Sequence, residues 1–123
     1  MSKYLKGLFV AHTVVAFGLG TPLLLAPGRF LELFKWAPID PLISRLLGAA
    51  LLALAWSSFQ GFRAAERSQV KTVIVMEIIF TGLSTIGWLR HLTKGSWPLV
   101  VWLMFLLMVL FFLAWLVAYF KKE

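Results

Sequence analysis

Residues 98 to 119 read "PLVVWLMFLLMVLFFLAWLVAY", twenty-two positions without one strongly polar side chain. A helix rises about 1.5 Å per residue, so this run is long enough to cross the ~30 Å hydrocarbon core of a bilayer. Three further stretches meet the same length test. The four expected spans are Leu5 to Ala26, Pro41 to Phe62, Lys71 to Leu92 and Trp97 to Phe120. Backbone groups in lipid must be satisfied within their own segment, and no alternating barrel pattern occurs, so the expected fold is an all-α polytopic membrane protein, a four-transmembrane-helix bundle. The connections are too short for a second domain, and residues 1 to 123 are read as one. The N-terminal "MSKYLKGLFV" starts like a signal peptide, but its apolar run continues past twenty residues without a clear cleavage site, so it reads as a retained helix.

Composition agrees. Of 123 residues, 61% are hydrophobic and 14% charged, far from the balance of a soluble domain. The absence of cysteine removes thiol catalysis, disulfides and cysteine-held metals, and the two histidines show no zinc-helix spacing. No cofactor and no metal are expected. The net charge of +7 is spread over termini and turns instead of forming a basic stripe, which points to membrane lipid headgroups and not to nucleic acid.

The first connection holds "GRFLELFKW", in which Phe30, Leu33 and Phe34 share one helical face and Arg29, Glu32 and Lys35 the other. That is the pattern of a short interfacial amphipathic helix. It leads into "APIDP", where Asp40 is placed to cap the second span and Pro41 takes its first position. Lys3, Lys6, Arg63, Arg67, Lys71, Lys121 and Lys122 flank the membrane side that carries the termini, against Arg29, Lys35, Arg45, Arg90 and Lys94 opposite. Seven cations against five favours both termini in the cytoplasm; the membrane expected is a prokaryotic cytoplasmic one. Trp97 and Trp102 near one end of the last span, with Trp115 and Tyr119 near the other, fit aromatic belts. Pro22 is expected to bend the first span near Gly20 and Thr21.

The third span opens with "VIVMEIIFTG", residues 73 to 82, and puts Glu77 among aliphatic neighbours. Glu77, Thr81, Ser84, Trp88 and His91 recur at helical spacing and form one stripe, which should face protein because lipid would leave its polar groups unpaired. His12, with Thr13, Ala16 and Gly20, gives the first span a small and polar face. His12 and Glu77 sit seven and six residues into their spans from the same membrane side, at similar depth, about 10 Å in. Ser57 and Gln60 approach that side on the second span. The expected ligand-binding or proton-titrating cluster is therefore Glu77, His12, Thr81, Ser84, Trp88 and Gln60, with Thr13 and Ser57 beside it. A second polar cluster of Asp40, Arg45, Arg90 and His91 is expected at the opposite face, where the arginines reach headgroups. The fourth span is expected to be the most lipid-exposed, or to dock on a larger partner.

No nucleophile and base set, paired carboxylates or phosphate-binding loop is present, so an enzyme is the least supported class. Small multidrug transporters share the size and the embedded acid, but carry their key glutamate in the first span, where this chain has none. The small fluoride channels share the size but not their Thr-Phe-Ser track. "APGRFLELF" followed by "DPLISRLLGAALLALA", about Ala26 to Ala55, resembles the small four-helix DoxX-like membrane proteins. That resemblance implies the fold, and an association of some members with membrane redox or quinone-linked systems, without assigning residue roles. The expected function is a small integral membrane binding or accessory protein, holding a lipid-like ligand or quinone, or serving as a subunit of a larger membrane complex. The alternative is a proton- or cation-coupled small transporter, a homodimer, using Glu77.

Overall fold

The computed structural model describes residues 1 to 36 and 40 to 121. Residues 37 to 39 of "APIDP", and Lys122 among the cations counted above, lie outside the described residues. Among the described residues five α-helices follow in order: α1 (Lys3–Leu25), α2 (Pro27–Leu33), α3 (Pro41–Arg63), α4 (Lys71–Leu92) and α5 (Leu99–Phe120), with a 3-10 turn, Arg67–Gln69, before α4. All except α2 are long and apolar enough to cross a membrane. The chain is an all-α four-helix bundle with a short helix between its first two long ones.

Local chemistry explains the helix ends. The Ser2 hydroxyl accepts from the Leu5 amide at 3.2 Å and starts α1. Asp40 Oδ1 accepts from the amides of Leu42 at 2.9 Å and Ile43 at 3.1 Å, with Pro41 at the first position of α3. The Arg67 guanidinium donates to the Ala118 and Tyr119 carbonyls and satisfies the end of α5. Helix α1 continues through Pro22 to Leu25, and the Pro22 carbonyl accepts from Ala26.

The segment between the first two long helices is amphipathic as expected, with Phe30 and Phe34 inward and Arg29, Glu32 and Lys35 exposed, and departs from that pattern at Leu33. Helix α2 stops at Leu33, and Lys35 adopts φ 55°, so that its amide reaches Glu32 O and the Trp36 amide reaches Leu31 O. This is a Schellman termination with lysine where glycine is usual. Leu31 lies inward beside Phe30 and Phe34, whose rings are 4.9 Å apart, while Leu33 is 79% exposed. Pro27, Phe30, Leu31 and Phe34 share the inward face at helical spacing, and Leu33 lies rotated off it.

Packing is uneven. Helix α1 lies along α3 and α4 along α5, and the two pairs touch each other much less. Gly20 and Gly48 bring α1 and α3 into backbone contact: a Cβ on Gly48 would fall 2.5 Å from Leu24 N and 2.7 Å from Gly20 O. At the end of the bundle that carries the termini, the pairs close on a core of Leu5, Leu8, Phe9, Val70, Ile74, Trp115 and Ala118. Trp115 does not join an aromatic belt. It is fully buried, 5.2 Å from the Phe9 ring, because it shares the inward face of α5 with Phe111 and Ala118. Tyr119 and Trp102 do lie exposed. The outer face of α5 is a row of exposed leucines that includes Leu103, Leu106, Leu110 and Leu113.

Candidate functional site

The Glu77 side chain is 0% exposed and lies inside the bundle. Its Oε2 is 3.3 Å from Nε2 of His12, while Nδ1 of His12 is 2.7 Å from the Ser58 hydroxyl. Ser58, His12 and Glu77 thus form a line across α3, α1 and α4, with the imidazole in the middle. The two contacts differ in kind. The serine contact is a short hydrogen bond, whereas the Glu77 carboxyl group approaches the other ring nitrogen, and neither of its oxygens has a hydrogen-bond partner among the described residues. A buried carboxylate in that condition depends on the imidazole for compensation. The His12 ring is held edge-on by Phe111 at 5.1 Å and Trp115 at 5.7 Å.

Above the line, toward α2, the helix pairs part around a cavity of about 340 Å³. Its walls are apolar: Ala16 and Leu19 from α1, Leu47 and Leu51 from α3, Phe80 from α4, Met104 and Met108 from α5. One end is His12, Thr81 and Phe111. The other is Phe30, Phe34, Trp36 and Trp88, with the Trp36 and Trp88 rings 5.3 Å apart. Ser44 and Ser84 also line it. The volume falls in the usual range for small-molecule sites.

Of the residues expected to cluster, Glu77, His12 and Thr81 are brought together, and Ser84 and Trp88 continue the same stripe along the cavity wall. The threonine hydroxyls bond within their own helices: Thr81 donates to Glu77 O at 2.6 Å, Thr85 to Thr81 O at 2.7 Å and Thr13 to Phe9 O at 2.7 Å. Gln60 is not part of the cluster. It is exposed and borders, with Ser57, a separate shallow groove beside Trp56 and Val73. Ser58 takes the place expected of Ser57, because one residue on a helix is a rotation of about 100°. A usable signal existed: the buried positions of α3 are the small residues Gly48, Ala55, Ser58 and Gly61, which mark the face against α1.

The second cluster is dispersed. Arg45, Arg90 and His91 are exposed, the Asp40 carboxylate is engaged with helix amides, and among the described residues no ion pair joins the four. His91 instead lies against Trp97, ring centroids 4.3 Å apart. Among the described residues no group of three or more metal-ligating side chains occurs. Trp36, Phe111 and Ser44 were not legible as site residues in the sequence, because their membership depends on which helix faces the gap.

Comparison of the chain with protein-family models, with curated proteins and with solved structures finds no match. The site's geometry is therefore the ground on which a function is assigned. That geometry belongs to a four-helix bundle whose four long helices are apolar enough to span a membrane.

Proposed function

We propose that the protein is a small integral membrane binding protein, of the DoxX-like type, that holds one lipid-like ligand or quinone between its two helix pairs. The supporting observation is the apolar cavity of about 340 Å³ bounded by all four long helices and α2. One end of it is formed by His12, the partner of Glu77. The Ser58, His12 and Glu77 line then serves the architecture, fixing α1 against α3 and α4 at the floor of the site. In this reading both termini face the cytoplasm of a prokaryotic cell, in keeping with the seven-to-five cation bias. The outer face of α5 is the docking surface toward a larger complex.

Binding is tested on protein in nanodiscs with a quinone carrying one isoprene unit and, separately, with dodecanoate, read by tryptophan fluorescence. Saturable binding near one per chain, lost in Ser84→Leu, is expected. Unsaturable partitioning that Ser84→Leu leaves unchanged removes the reading. A pull-down from native membranes, identified by mass spectrometry, tests the accessory role.

A second reading is favoured by one observation, that both Glu77 oxygens are buried without a hydrogen-bond partner among the described residues. A carboxylate so placed suits a proton- or cation-coupled transporter. It requires proton-linked uptake into liposomes that disappears in Glu77→Gln, whereas the binding reading requires no flux from either protein.

A further inference from the structure

The two ends of the cavity differ in what they offer a ligand. At the floor, both nitrogens of His12 are occupied, one by Ser58 and one by Glu77, and the Thr81 hydroxyl proton is given to the Glu77 carbonyl. The remaining floor residue is Phe111. Each of these polar groups already faces a protein atom, His12 Nε2 the buried Glu77 carboxyl group at 3.3 Å, and a polar headgroup pushed to the floor would lose its hydrogen bonds to water without replacement. At the α2 end the inventory is reversed. The indoles of Trp36 and Trp88 and the hydroxyl of Ser44 carry donors. Exposed cations stand next to these wall residues in the chain, Lys35 between Phe34 and Trp36, and Arg45 after Ser44. From His12 to Leu23, both lining residues on α1, the distance along the helix is about 16 Å. The space is therefore elongated along the bundle.

We propose that the cavity takes a single acyl chain tail first, its terminal methyl against His12 and Phe111 and its anionic headgroup at the level of α2 beside Trp36, Lys35 and Arg45. The proposal rests on the binding reading above and narrows it. It selects an anionic amphiphile over a quinone, whose ring would have to enter head first or stay at the mouth without a charge to meet Lys35 and Arg45. The same chemistry is available from a free fatty acid and from one chain of an anionic phospholipid.

Photo-crosslinking with two dodecanoate probes tests it, one carrying a diazirine at the tail end and one next to the carboxylate. The labelled residues are mapped by mass spectrometry on the wild-type chain. The tail-end probe should mark Ala16, Met108 or Phe111, and the carboxylate-end probe Phe34, Trp36 or Trp88. The reversed pattern overturns the tail-first orientation but leaves a ligand-binding cavity intact. Labelling confined to the lipid-facing Leu103, Leu106 and Leu110 overturns both the orientation and the binding reading. In competition, Lys35→Ala and Arg45→Ala should each weaken dodecanoate about fivefold and leave dodecanol unchanged. An equal loss for both competitors overturns the anionic headgroup. Labelling that persists in phospholipid nanodiscs assigns a free fatty acid as occupant. Labelling seen in detergent and competed away in nanodiscs assigns a phospholipid chain.

Discussion

The half of the bundle that carries the termini and the half beneath α2 are built from the same four helices, yet one is closed and the other hollow. In the closed half, large side chains from both helix pairs meet: Phe9 packs on Trp115, and Leu5, Leu8, Val70 and Ile74 fill the remainder. In the hollow half, α1 and α3 are drawn onto each other at Gly20 and Gly48, so their bulk is spent within the pair, and their wall facing α4 and α5 carries Val15 and Ala16, with Ser84 of α4 opposite. In a bilayer there is little hydrophobic gain in bringing helices together, because lipid tails are as apolar as leucine, and what decides is contact. A cavity in a membrane bundle thus arises where small residues tie helices into pairs without large residues to tie the pairs to each other. The Ser58, His12 and Glu77 line marks the boundary between the two regimes.

If the closed half is held by contact, removing contact there should cost most. Trp115→Ala should destabilise the fold by about 4 kcal/mol, followed by circular dichroism during unfolding in mixed micelles. A loss below about 1 kcal/mol would dissolve the distinction between the halves. At the boundary, His12→Leu should cost about 3 kcal/mol by leaving Glu77 buried without its partner. The double change His12→Leu with Glu77→Leu should recover most of that loss, since no charge is then stranded. A double variant as unstable as the single one would mean that the imidazole acts by shape and not by compensating the carboxylate.

In the hollow half the sign should reverse. Ser84→Leu puts alkyl surface into empty space and should raise stability by about 1 kcal/mol while blocking ligand, measured by thermal unfolding and probe binding on the same sample. The smallest effect is expected at the rim. Lys35 occupies a left-handed conformation at φ 55°, and Lys35→Gly should gain about 0.5 kcal/mol by relieving it, visible as slower amide exchange at Trp36. A destabilised Lys35→Gly would show that the lysine side chain, and not the backbone, holds the end of α2.

Features set by one segment were legible and those set by the rotation of a segment were not. The span Lys71–Leu92 coincides with its apolar run, and the Asp40 cap follows from residues adjacent to it. The depth match of His12 and Glu77 was legible because rise per residue is constant. Ser57 was expected where Ser58 stands, Gln60 was expected inside and lies outside, and Trp115 was assigned to an interface and lies at the centre. Each of these is an error of angle at a correct height. Leu33 belongs to the same class, since the inward face of α2 runs through Pro27, Phe30, Leu31 and Phe34 and leaves Leu33 turned outward.

By itself, then, the sequence determined that this chain makes four apolar helices with a short one after the first, where the long ones begin and end to within two residues, and that an acid and an imidazole share one depth. Hydropathy, capping and helical rise are properties of a segment alone, and they act before any segment meets another. Which serine completes the line with His12, which faces pair through glycine and where the space of about 340 Å³ remains were decided by the tertiary structure. Azimuth and void are relations between helices, set by how residues distant in the chain fill or fail to fill the volume between them.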